Sequence, residues 1–160
     1  MKKIIFTLGF ITLLVTGCST TQTTSEIFTV ENNKVTVNSE NITFNFTDNF
    51  EVTDESIKFG PETVIPESPT DKKYTRPAFS LKLVPQRSYN EIQKNQSTTS
   101  SFTQVKVNQF DVIKWKDSSF CDTQYYEIIG VGQNIQLKDQ SCNQVNSNDY
   151  FEELLNNTNI

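Results

Sequence analysis

Residues 27–30, Lys34-Val35-Thr36-Val37 and Ile42-Thr43-Phe44-Asn45-Phe46 alternate apolar and polar side chains with a period of two, which predicts three short strands separated by Asn- and Glu-containing turns. Residues 50–59 can supply another. Gly60-Pro61, Pro66 and Pro69 then interrupt regular structure, and polar Asp71-Lys72-Lys73 follows, so the pattern predicts a loop over 60–76. Ala78-Phe79-Ser80-Leu81-Lys82-Leu83-Val84 alternates again and stops at Pro85, which lacks a ladder donor. Ser88-Tyr89-Asn90-Glu91 reads as a capping box opening a short helix that carries Ile92 and ends near Gln96. Strands resume over 102–107 and 110–116. A hairpin follows, with Tyr125-Tyr126-Glu127-Ile128-Ile129 and Asn134-Ile135-Gln136-Leu137 flanking the turn Gly130-Val131-Gly132-Gln133. The last element is a helix capped by Ser147 or Asn148, with acidic Asp149, Glu152 and Glu153 at the positive end of its dipole and Tyr150, Phe151, Leu154 and Leu155 as its apolar stripe.

This order predicts an α+β fold: an antiparallel sheet of about six or seven strands, with a short helix and a C-terminal helix packed on its faces. Ile42-Thr43-Phe44-Asn45-Phe46, the strand and helix over 81–93, Tyr126-Glu127-Ile128 and Phe151-Glu152-Glu153-Leu154-Leu155 resemble the PsbP family over roughly residues 41–155. The resemblance implies a PsbP-like sandwich and a role in binding or assembly. It transfers no functional residue by position.

Ahead of the strands, Lys2-Lys3 and the apolar run from Ile4 to Val15 match the n- and h-regions of a secretory signal. At about a dozen residues the run is short of the roughly 20 that a spanning helix needs. It closes on Leu14-Val15-Thr16-Gly17-Cys18, and the whole resembles a bacterial lipoprotein signal. That resemblance implies cleavage after Gly17 and a diacylglyceryl group on Cys18. The protein then sits in the cell envelope, anchored by lipid to the outer face of the cytoplasmic membrane or to the outer membrane. Each buried acyl methylene contributes roughly 0.8 kcal/mol, so two or three chains hold a protein with no protein contact. The organisation that follows is a signal peptide at 1–17, a Ser/Thr/Gln-rich flexible tether at 18–26 and one globular domain at 27–160.

Charge and cysteine content narrow the partners. Loss of Lys2 and Lys3 with the leader takes the net charge from −5 to −7, a balance that repels phosphate backbones and anionic headgroups and argues against nucleic acid. With Cys18 lipidated, Cys121 and Cys142 remain in an exported chain, which predicts one disulfide. The hairpin register that sets Ile128 against Ile135 and Tyr126 against Leu137 brings Cys121 opposite Cys142 when extended outward. Such a bridge stabilises by roughly 3 kcal/mol. A redox or metal site is the competing reading, and it has neither a CxxC spacing nor a histidine to build on.

Candidate chemistry is sparse. The chain has no histidine, which removes Ser-His and Cys-His nucleophilic sites and the commonest metal ligand. No residue set calls for a cofactor. Asp54, Glu55, Glu62 and Glu67 near the proline-rich stretch offer carboxylates for glycosidic chemistry, set against their ordinary role as solvated surface groups. Trp115, Tyr125 and Tyr126 can form a stacking platform for a sugar ring or a peptide. By parity Tyr126 belongs with Ile128 in the core, and Tyr125 belongs with Glu127 on an exposed face beside Lys138. Trp115 reads as core or as ligand contact. Lys72, Lys73 and Arg76 form a basic cluster on which an acidic partner or a lipid headgroup can dock, against the plainer reading of a solvated loop.

The sequence therefore predicts a lipid-anchored, non-catalytic binding or accessory module of an envelope complex. Its partner is the membrane through the N-terminal lipid, together with another envelope protein or a small ligand. A histidine-free, carboxylate-based envelope hydrolase and a purely structural surface lipoprotein are the alternatives.

Overall fold

Two sheets, rather than the single one expected, come from the alternating segments. In the computed structural model, which describes residues 23–24, 26–66, 73–95, 101–117, 122–130 and 132–160, the first is small. It consists of β2 (Phe28–Glu31), β3 (Lys34–Val37) and β4 (Ile42–Asn45), with the two-residue strand β1 (Thr23–Thr24) added at the β2 edge. Alternation does what the period predicts: Val35, Val37, Ile42 and Phe44 point inward, while the residues between them face out or lie half-buried. Asn32 and Asn41 take left-handed φ values of 56° and 54° at the turns, a conformation asparagine tolerates better than most residues. The signal peptide and Cys18 lie outside the described residues. Of the tether, Thr23 and Thr24 are already paired with Val30 and Thr29, so the domain begins earlier than composition suggests.

The second sheet contains β5 (Phe50–Val52), β6 (Ser56–Pro66), β7 (Lys73–Pro85), β8 (Phe102–Val107), β9 (Phe110–Asp117), β10 (Thr123–Ile128) and β11 (Gln133–Asp139). All its pairings are antiparallel, in the order β5-β6-β7-β11-β10-β9-β8. β6 and β7 make a long hairpin through most of the stretch that the prolines mark as a loop. Pro61 is accommodated because the register shifts between Phe59 and Glu62, placing it in a bulge where no ladder donor is needed, and Pro66 is the last residue of β6; Pro69 lies outside the described residues. The β10–β11 register is the expected one, with Tyr126 against Leu137 and Ile128 against Ile135. Cys142 is disulfide-bonded and takes a left-handed φ of 55° in the turn after β11. Cys121 lies outside the described residues.

Helix α1 (Tyr89–Asn95) starts on the expected box, with the Ser88 amide and hydroxyl donating to Glu91 Oε2 at 2.7 and 2.8 Å and the Glu91 amide reaching Ser88 Oγ at 3.4 Å. Helix α2 (Ser147–Asn156) buries Phe151, Leu154 and Leu155 as the stripe predicts. Its N-cap is Asn146 rather than Ser147 or Asn148. The Asn146 side chain makes no cap bond and donates instead to Asp149 Oδ2 at 2.7 Å. After α2 the chain returns to the small sheet, where Thr43 and Asn159 exchange backbone hydrogen bonds of 2.8 and 3.1 Å.

The large sheet has two different faces. One packs on the small sheet and α2 through Phe44, Phe46, Phe59, Phe79, Leu81, Tyr126, Ile128 and Phe151. Ring centroids there lie 4.9 Å apart for Phe46–Phe59 and Phe79–Phe151, and 4.8 Å for Tyr126–Phe151. Each fully buried aromatic of this kind contributes roughly 1.5–3 kcal/mol. The other face carries a second cluster of Ile92, Ile113 and Trp115 under α1. Beyond α1 that face is more open: Lys82 on β7 is exposed, and Ser56 and Lys58 on β6, Ser80 on β7 and Lys138 on β11 are partly so, while Asn134 and Gln136 on β11 are buried.

Candidate functional site

Strand register places a single row of side chains across the face opposite the main core: Phe102, Trp115, Tyr125, Lys138, Ser80 and Lys58, one from each of six neighbouring strands. Its first half is aromatic. Phe102 and Trp115 lie parallel within 11° at 6.1 Å, and Trp115 and Tyr125 within 4° at 5.0 Å. The Lys138 ammonium then sits 5.8 Å from the Tyr125 centroid, a cation–π contact. Sequence parity thus set Tyr125 beside Lys138 correctly, but Tyr125 is half-buried instead of exposed. Trp115 is buried at 3 % exposure. With Phe102 and Tyr125 on its two faces, it has no ring face left for a sugar. The stack is a wall of the site rather than its platform.

The adjacent row runs Ile113, Glu127, Gln136, Lys82 and Ser56. Parity put Glu127 on an exposed face, yet it is 0 % exposed. Arg87, delivered from the segment between β7 and α1, covers it with Nε and Nη2 donating to its two carboxylate oxygens at 2.8 and 2.5 Å. Asn134 Nδ2 and Gln136 Nε2 complete the shell at 2.9 and 3.2 Å. The hydrogen bonds it donates to Glu127 hold the Arg87 guanidinium above its ordinary value, opposed by burial. A buried carboxylate needs such partners to be tolerated at all. Nothing in the one-dimensional pattern signals this network, because Arg87 precedes the capping box as an apparently exposed loop residue.

Cations fill the open half. Lys82 is exposed, and Lys58, Lys138 and Arg76 are partly so. Burial pulls the Lys138 ammonium below its ordinary value, and the nearby charges of Arg76 and Lys82 push the same way while Asp117 opposes them. The Arg76 guanidinium donates to the Gln140 carbonyl at 2.9 Å, and Lys58 stands 4.0 Å from Glu51 at the rim. Next to Lys82 a cleft of about 480 Å³ is lined by Ile27, Glu55, Ser56, Leu83 and Gln133, so the residue preceding β2 lies on the border of this face.

Of the residues singled out from sequence, Tyr125, Trp115 and Arg76 come together on one face through Lys138. Lys73 begins β7 opposite Pro66, and Lys72 lies outside the described residues. The sequence pattern places Lys138 only beside Tyr125 and does not single out Lys58 or Lys82, because only the sheet register aligns lysines so far apart in sequence. Asp54, Glu55 and Glu62 are exposed, and Glu67 lies outside the described residues. Glu62 shares a surface cleft of about 430 Å³ with Asp48 and Glu51, and there Asp48 is engaged by the Tyr150 hydroxyl at 2.7 Å.

Residues 1–19 match the prokaryotic membrane lipoprotein lipid attachment site, a span that contains Cys18. No curated protein and no solved structure matches the chain. Among the described residues no helix is long and apolar enough to cross a membrane. The attachment site accounts for membrane association by other means: the chain carries a lipoprotein signal and is a lipid-anchored protein of the cell envelope.

Proposed function

We propose that the domain is a non-catalytic binding module of the envelope and that it engages an anionic partner through the open half of the large sheet. The observation that carries this reading is the gathering of Lys58, Lys82, Lys138 and Arg76 on one face of a chain whose net charge is −5. Net repulsion of anions, inferred from composition, gives way locally to attraction where like charges are held within a Debye length of each other, about 10 Å at 0.1 M salt. The PsbP-like architecture belongs to the same proposal, supported by an antiparallel sheet with α1 on one face and α2 on the other. So does a Cys121–Cys142 bridge, supported by the disulfide state of Cys142 and the β10–β11 register.

Lysine footprinting tests the binding face. A water-soluble acylating reagent applied to intact cells and to the purified full-length lipoprotein should label Lys34, exposed on the small sheet, equally in both. Lys58, Lys82 and Lys138 should be labelled several-fold more slowly in cells. Equal labelling of all four in the two samples would remove the proposal.

A further inference from the structure

The anionic partner has a definite source. We infer that the open cationic face lies against the phospholipid headgroups of the membrane that holds the Cys18 anchor, so that the lipid and the domain surface form two linked contacts with one bilayer. The inference rests on the binding-face reading above and deepens it.

Covalent geometry supplies the first argument. Thr23 is already paired with Val30 in the small sheet, so only the five steps from Cys18 to Thr23 separate the acylated residue from folded structure. Fully extended, they reach at most about 18 Å. The domain therefore cannot retreat much beyond its own radius from the bilayer, and some face of it stays close to the headgroups. Which face is the second question. The leash enters folded structure at Thr23, opposite Val30, and four residues on Ile27 lines the same cleft as Lys82, so the first strand pair of the small sheet borders the cationic half-sheet at its Ile27 end.

Charge decides between the surfaces that so short a leash permits. Lys82, exposed opposite Ser56 at the start of β6, shares this half of the sheet with Lys58, Lys138 and Arg76; Asp117 stands near Tyr125, Glu51 at the rim pairs with Lys58, and Glu55 lines the cleft beside Lys82, so cations still outnumber carboxylates there. Elsewhere the chain carries its acidic excess, including Asp149, Glu152 and Glu153 on α2 and Glu31 on the small sheet, which an anionic bilayer repels. The linkage matters more than the number of cations. A contact too weak to recruit a free protein becomes populated when the anchor supplies a high local concentration of headgroups.

The test uses full-length acylated protein in three settings: neutral detergent with and without a soluble polyglycerol-phosphate polymer, vesicles of phosphatidylcholine alone, and vesicles with about one third phosphatidylglycerol, a composition chosen to give a clear surface potential. Acylation of Lys58, Lys82 and Lys138 relative to Lys34 is read by mass spectrometry. The expected result is at least about a threefold slowing for the three face lysines in phosphatidylglycerol vesicles only, reversed by molar salt, which shortens screening to about 3 Å. Protection by the polymer without protection by phosphatidylglycerol would overturn the lipid assignment and keep the binding face. Protection in neither would overturn both, and equal slowing in phosphatidylcholine would overturn the electrostatic basis. A Lys82→Glu variant, altered at an exposed position, should lose the slowing at Lys58 and Lys138; retention of it would also count against the inference.

Discussion

Gly60 has φ +84°, and a Cβ there would stand 2.5 Å from Cδ2 of Phe79, so both backbone and packing demand glycine at the bulge. Gly60→Ala should cost about 1–3 kcal/mol, measured as a fall in the urea midpoint with little change in slope. Arg87→Met leaves Glu127 buried without its guanidinium. Breaking a fully buried pair costs about 3–5 kcal/mol, and the 23 % exposure of the Arg87 side chain places this one toward the low end. Tyrosine ionisation is a further residue-scale test. Burial first, then the charges of Glu152, Asp149 and Asp139, raise Tyr126 above its ordinary 10.0; burial and the bond to Asp48 raise Tyr150. The folded chain therefore keeps these hydroxyls neutral where the unfolded chain would ionise them. Their contribution is full below about pH 10 and drains away as pH rises further. Alkaline unfolding followed by tyrosinate absorbance should show both groups silent until the fold is lost, and Tyr150→Phe should flatten the decline. Early titration of both would contradict the burial.

At the scale of elements, the legible parts were those in which local chemistry and tertiary demand agree. The capping box at Ser88, the α2 stripe and the β10–β11 register are set by residues a few positions apart, and all three stand as read. The β6–β7 hairpin was hidden because proline and glycine mark interruption in the same way whether a chain leaves a sheet or bulges within it. Glu127 was hidden for a related reason. Alternation reports which face a residue is on, and says nothing of what a distant segment lays over that face. The candidate site was legible in fragments: Tyr125, Trp115 and Arg76 were flagged separately, but only the pairing order β6-β7-β11-β10-β9 joins them to Lys58, Lys82 and Lys138.

For the whole molecule, anchor and fold are separable. A Cys18→Ser variant should leave the domain folded, with an unchanged melting temperature, while the protein shifts from the membrane pellet to the soluble fraction; continued pelleting would contradict anchoring by that sulfur. The closure of the small sheet carries a different consequence. β4 lies at the edge of its sheet, and the reciprocal Thr43–Asn159 bonds are what occupy that edge, with Thr158 tucked behind them at 2 % exposure and Ile160 left 67 % exposed. An expression tag joined after Ile160 leaves this clasp fastened, whereas trimming the last three residues opens a bare strand that invites neighbouring molecules to zip on.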